Sequence, residues 1–230
     1  MIQGWLNDLL QLAFPETCPA CRTALRRGER YLCTFCRYHL PRTRYEPLSD
    51  NPVERLFLGQ APVYAASAYY QFTKGGAVQR MVHALKYEGR EEVGRFVGRK
   101  MGEFWLQKKA LQPDILVPVP LHVKRLRTRG YNQAGVLASS MAEAMGLPMR
   151  PDLLIKTAST GTQTNRQRFD RFSSLDRNFA VPSSSQLAES RILLVDDVIT
   201  TGATLISCAG ALHSAGASTV MVMAMATARR

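Results

Sequence analysis

The chain has 230 residues, 46% of them hydrophobic, which is enough for a real core and excludes global disorder. Thirty Lys and Arg against eighteen Asp and Glu give a net charge of +12, a balance suited to polyanionic partners: phosphorylated metabolites, nucleic acid or an acidic membrane surface. No apolar run approaches the roughly 18 residues of a membrane span, and the length accommodates one α/β domain with a small appendage.

Met1–Phe14 lacks a basic start and carries Asp8. It predicts a short amphipathic helix rather than a signal peptide, and with it a cytoplasmic protein. Cys18-Pro-Ala-Cys21 and Cys33-Thr-Phe-Cys36 follow, two Cys-x-x-Cys pairs eleven residues apart. Two such turns complete a tetrahedral thiolate set suited to structural zinc, with no open position for catalysis. Two disulfides are the rival reading, disfavoured in cytosol, and a redox pair would want a βαβ setting that is missing here. Arg22, Arg26, Arg27, Arg30 and Arg37 make the module basic, as a nucleic-acid contact or as a solvated surface. His39 reads as a surface residue.

Prolines at 41, 47, 52 and 62 mark a linker, so the expected units are residues 1–45, a linker at 46–62, and a main domain at 63–230. Val63–Phe72 reads as a strand. Ala77–Tyr87 and Glu91–Lys109 have helical spacing, and Lys86 fits a cation at a helix C-terminus. Asp114–Pro120 is a short buried strand ended by its prolines. The loop after it carries four basic residues within Lys124–Arg129, ahead of a helix reaching Gly146. That loop is either solvated or the cationic counterpart that a diphosphate needs; His122 reads as a loop residue. Pro151–Val181 is polar and basic without a period, a plain surface excursion or a lid that excludes water.

Arg191-Ile-Leu-Leu-Val-Asp-Asp-Val-Ile-Thr-Thr-Gly-Ala-Thr204 carries the chemistry. Ile192–Val195 fit a strand buried on both faces, with Asp196 and Asp197 at its carboxyl end, where ligands of open α/β sheets bind. The small, hydroxyl-rich loop then opens into the helix Ala203–Ala215. Its free N–H groups and positive dipole end suit a phosphate, while the carboxylates suit sugar hydroxyls or a divalent cation. Ser218–Thr227 closes the chain as a strand. Cys208 and the methionines at 221, 223 and 225 read as packing residues.

Ile192–Thr204 resembles the phosphoribosyl pyrophosphate signature of type I phosphoribosyltransferases. Further features in order are Phe14-Pro with the two cysteine pairs, Ala84-Leu-Lys-Tyr-Glu-Gly89, Val117-Pro-Val-Pro-Leu-His122 with Arg129-Gly-Tyr-Asn-Gln133, and Thr160-Gly-Thr-Gln163 ahead of Arg171 and Phe179. Over nearly its whole length the chain is similar to the ComF family, competence protein F and gluconate-utilisation-type relatives. The resemblance implies a type I phosphoribosyltransferase fold, a mostly parallel sheet flanked by helices, behind a zinc module. It implies phosphoribosyl pyrophosphate with Mg²⁺ as ligand, and a cytoplasmic role in DNA uptake during natural transformation or in use of external DNA. Asp196 and Asp197 would hold the ribose. Thr200, Thr201, Gly202, Ala203 and Thr204 would hold the 5′-phosphate, and Arg125 and Arg129 would face pyrophosphate. Thr162, Gln163 and Arg171 would belong to a mobile loop. Ser174 departs from the Asn usual in relatives. The expected reaction is phosphoribosyl transfer to an acceptor the sequence does not reveal. The alternative is a non-catalytic ligand sensor or a single-stranded DNA-binding adaptor that recruits uptake partners.

Overall fold

The computed structural model describes residues 15–157, 178–182, 187 and 189–228. The expected helix at Met1–Phe14 and the expected mobile-loop residues Thr162, Gln163 and Arg171 lie outside them, as does Ser174.

Among the described residues the strands are β1 (Ala65–Phe72), β2 (Ile115–Pro118), β3 (Ile155–Lys156), β4 (Phe179–Ala180), β5 (Arg191–Ile199) and β6 (Thr219–Ala228). The helices are α1 (Thr34–His39), α2 (Ala77–Tyr87), α3 (Glu91–Leu106), α4 (Val123–Arg129), α5 (Gln133–Met145) and α6 (Ala203–Ser214). The main sheet runs β1-β6-β5-β2, and every pair in it is parallel. Parallel strands require crossovers that cover both faces, and the strand sequences supply an apolar side chain to each face. In β5, Leu193 and Val195 join one core cluster, while Ile192 and Leu194 join the other. In β6, Met221, Met223 and Met225 face the first cluster and Val220, Val222 and Ala224 the second. The three methionines are thus packing residues, as their pattern predicts. Cys208 is fully buried among α6 neighbours.

Helices α3 and α5 approach unusually closely on the first face. Gly94, Gly98 and Gly102 recur every fourth residue of α3, so they share one side of the helix. A Cβ added at Gly98 would stand 2.4 Å from the Leu137 carbonyl oxygen, and one at Gly102 would stand 2.8 Å from that of Met141.

Two expectations need adjustment. The basic stretch Lys124–Arg129 is read as a loop from sequence, yet it forms α4. His122 caps that helix by accepting from the Lys124 N–H at 3.2 Å, and Gly130 ends it with a left-handed φ of 80°. The stretch expected as a linker does connect, but it also packs. Val53 and Phe57 are buried in the second cluster. The Asn51 side chain donates to the Ala66 carbonyl of β1 at 2.8 Å and accepts from the Val53 N–H at 2.9 Å.

Candidate functional site

The site lies at the carboxyl ends of β2 and β5. Side chains alternate along a strand, so the two consecutive acids at the end of β5 fall on opposite faces of the sheet. Asp197 follows the register of Leu193 and Val195, toward the cluster that contains α2. There its Oδ2 meets Lys86 Nζ at 2.8 Å, with the side chains only 14% and 20% exposed. Asp196 follows the register of Ile192 and Leu194. Its Oδ1 accepts the Asp197 N–H at 2.8 Å. Burial, and then the neighbouring Asp197 charge, push the Asp196 carboxyl up to about 7, against opposing pulls from the Asp197 N–H and Lys86.

Strand β5 runs on to Ile199, beyond both acids, before the turn that leads into α6. Gly202 occupies the helix N-cap at a φ of +80°, a left-handed conformation that L side chains resist; it has no side chain to cap the helix, and Thr201 Oγ1 accepts the Ala203 N–H at 3.4 Å. An added Cβ there would come within 3.5 Å of Leu56 Cβ and 3.7 Å of Phe57 Cε1, so the segment after the cysteine module forms the floor under this turn. Thr200, Thr201, Ala203 and Thr204 are exposed around the buried glycine. The helix end therefore offers backbone N–H groups and hydroxyls to solvent, the arrangement that binds phosphate.

Across the cleft stands α4. Arg125 and Arg129 line the same cavity of about 230 Å³ as Asp196, Asp197, Thr204 and Lys86. Lys124 and Arg127 are exposed and take no part in the lining. The motif after Arg129 holds it in place. Gln133, 1% exposed, accepts from Arg129 Nη1 at 2.8 Å, and the Arg129 guanidinium lies 5.3 Å from the Tyr87 ring centre. The Tyr131 hydroxyl donates to the Leu85 carbonyl. Asn132 caps α5 through the Ala134 N–H at 3.1 Å and ties it to the end of β2 through the Val119 carbonyl at 3.0 Å.

Several cleft residues, His122 and Asn132 among them, carry no site role in the sequence. Lys86 read as a helix-end cation, although it belongs to a quoted motif. Gln133, the last residue of another quoted motif, and Lys156, which nothing local marks, also line the cleft. Thr200, Thr201, Gly202 and Ala203 adjoin the cavity without lining it.

The four cysteines come together outside this cleft. Cys18, Cys21, Cys33 and Cys36 place their sulfurs within 4.8 Å of one another, and Cys21 Sγ lies 3.6 Å from Cys33 Sγ. A disulfide needs about 2.05 Å, so these are free thiols. Four thiolates at about 2.3 Å from a tetrahedral zinc would sit about 3.8 Å apart, and the set fits a metal such as zinc. Each pair forms a tight turn. Arg22 N–H donates to the Cys18 carbonyl at 2.7 Å, and Cys36 N–H donates to Cys33 Sγ at 3.5 Å. Glu29 bridges the backbone between the pairs, accepting from Arg26 N–H at 2.8 Å and Thr34 N–H at 2.6 Å. No helix among the described residues is long and apolar enough to cross a membrane.

Known proteins resemble this chain at the level of domain and sequence. The model of the phosphoribosyl transferase domain matches residues 127–230. Competence protein F of Haemophilus influenzae is 33% identical over 117 residues, covering 50% of this chain and 51% of that protein. DNA utilization protein YhgH of Salmonella typhimurium is 32% identical over 146 residues, 62% of this chain and 63% of that one. These two matches thus span only half to two thirds of the relatives. YhgH of Escherichia coli O157:H7 is 26% identical over 227 residues, 92% of this chain and 96% of that one. Among solved structures, the Bacillus subtilis glutamine phosphoribosylpyrophosphate amidotransferase is 21% identical, with a TM-score of 0.44 over 62% of this chain and 30% of that one, too loose a likeness to argue from. The domain match and the parallel sheet together make the main fold that of phosphoribosyltransferases. In its order of motifs and in these relatives, the chain is similar to the ComF family.

Proposed function

We propose that the protein binds phosphoribosyl pyrophosphate with Mg²⁺ and transfers the phosphoribosyl group to an acceptor, working in the cytoplasm in the uptake or use of DNA. One observation carries the reading: Asp196, Asp197 and Thr204 converge with Arg125, Arg129 and Lys86 on a single cleft. A ribose diol suits the carboxylates. The 5′-phosphate suits the N-terminal end of α6, with Thr200, Thr201, Gly202, Ala203 and Thr204 around it. The diphosphate suits the two arginines. In the reaction the acceptor attacks C1, the bond from C1 to the diphosphate oxygen breaks, and pyrophosphate leaves. Mg²⁺ would supply charge neutralisation on the diphosphate. The chain's own part is to orient the ribose and to stabilise the leaving charge with fixed cations, usually the largest catalytic contribution. Zinc at Cys18, Cys21, Cys33 and Cys36 is structural in this reading.

The test is titration calorimetry with phosphoribosyl pyrophosphate and Mg²⁺, on wild type and on the Asp196→Asn, Asp197→Asn double variant. Losing two charge-assisted hydrogen-bond acceptors should cost at least about 3 kcal/mol, roughly a hundredfold in affinity. Equal binding by a folded double variant would remove the assignment.

A second surface favours a DNA-binding role beside or instead of catalysis. A cleft of about 590 Å³ next to the cysteine module is lined by Arg37, Arg42, Arg44, Tyr38, Tyr69 and Phe104, with Glu46 at one side. The Arg42 guanidinium lies 5.2 Å from the Tyr69 ring centre. Cations interleaved with aromatic rings are what single-stranded nucleic acid uses.

A further inference from the structure

Helix α2 ends where the two parts of the molecule meet. On its cleft side, Lys86 pairs with Asp197 and the Tyr87 ring lies under Arg129. These two adjacent residues therefore touch both the acidic and the basic wall of the cleft. On its other side the same end of α2 is gripped by the first cysteine turn. Arg22, the residue after Cys21, makes a two-pronged ion pair with Glu88, at 3.2 and 2.7 Å. Arg80, just over two turns earlier on α2, donates from Nε to the Ala20 carbonyl at 2.6 Å. Arg90 reaches the Thr17 carbonyl at 3.3 Å. Beneath these contacts Cys18, Ala20 and Leu32, all fully buried, share one apolar cluster with Met81 and Leu85 of α2.

A bidentate guanidinium–carboxylate pair fixes direction as well as distance. Glu88 is two residues from Lys86 and is the C-cap of α2, with its N–H still bonded to the Ala84 carbonyl. Movement of Glu88 therefore turns the last residues of the helix, and Lys86 with them. A lysine stem has four rotatable bonds, so without a fixed helix end Nζ would not stay on one carboxylate.

We infer that the cysteine module positions the cleft: through Arg22 and Glu88 it holds the end of α2 so that Lys86 rests on Asp197. Arg22 and Glu88 are positioning residues that act through Lys86. In the protein as proposed, which binds phosphoribosyl pyrophosphate, loosening them weakens that binding although neither residue lines the cleft. The inference deepens that proposal, but its first readout does not depend on it.

The experiment uses the full-length, metal-loaded protein as wild type, as Glu88→Gln, and as the charge-swapped pair Arg22→Glu with Glu88→Arg. The acetylation rate of each lysine is followed by peptide mass spectrometry, with metal content and circular dichroism recorded for every variant. Lys86 is slow in wild type because its amine is engaged. In Glu88→Gln it should react about fivefold faster, the low end of coupling between sites. Lys100, paired with Glu103 on its own helix at 2.6 Å, should not change. The swapped pair should restore the slow rate. Calorimetry with phosphoribosyl pyrophosphate then follows the same order: weaker in Glu88→Gln, recovered in the swap. An unchanged Lys86 rate in folded Glu88→Gln overturns the inference. So does a faster rate shared by Lys100, or one that the swap fails to reverse, because either assigns the effect to general loosening. If wild type binds no phosphoribosyl pyrophosphate while the labelling pattern holds, the proposed ligand is wrong and the positioning stands.

Discussion

Asp196 and Asp197 are neighbours in sequence but not in surroundings. Asp197 is compensated by Lys86 at 2.8 Å, whereas Asp196 has its companion's N–H and a part-buried setting that desolvates it. The ordinary carboxyl value is 3.8, and in the folded chain Asp196 is raised to about 7. Between those values the folded state keeps a proton that the unfolded chain has released, so this group makes the protein less stable as pH rises through that window. Asn at the position mimics the protonated form. Thermal melts from about pH 4 to about pH 7 should therefore show Asp196→Asn gaining on wild type as pH rises. A constant difference would mean that Asp196 titrates normally. The carboxylates of Glu88, Asp114 and Asp152, held down chiefly by their arginine partners, act in the opposite sense at lower pH. Taking the difference between the two proteins separates the contributions.

At the scale of elements, the α3–α5 contact is the most sensitive to sequence. At Gly98 the neighbour is a backbone carbonyl of α5, which cannot rotate away. Gly98→Ala should destabilise the fold by about 1–3 kcal/mol, the range for overpacking, read as a lower denaturant midpoint. Gly135, also helical, has nothing nearer than 3.4 Å to an added Cβ, so Gly135→Ala should be neutral or stabilising by up to about 1 kcal/mol. Similar losses at both positions would contradict the close approach. Because α5 also carries Gln133 at its start, this contact sets where the partner of Arg129 stands.

At the scale of the whole molecule, the cysteine module and the sheet share one apolar cluster, and cations converge on two separate clefts. The net charge of +12 alone does not say which cleft takes a polyanion. If the cleft beside the module binds single-stranded DNA, neutralising about three phosphates predicts a slope near −2 in log affinity against log salt. Arg37→Ala with Arg44→Ala should flatten that slope. Absence of binding, or binding indifferent to salt, would sink the nucleic-acid reading.

What the sequence determined by itself was local. Alternating and continuous apolar runs placed β1, β2, β5, β6 and α6, because their burial imposes periods of two and 3.6. The cysteine spacing brought four sulfurs together, since each pair needs only one tight turn. Asp-Asp followed by Thr-Thr-Gly marked the cleft because strand end, turn and helix start are consecutive in the chain. Lys124–Arg129 misled because four charges in six residues hide the helical period, although Gly130 already carried the helix-ending signal. Only the tertiary structure decided the rest. Lys86 meets Asp197 because α2 packs against the face to which Asp197 points, and α2 points there because the cysteine turn holds Glu88. Such contacts join side chains far apart in sequence, and no local period or turn records them.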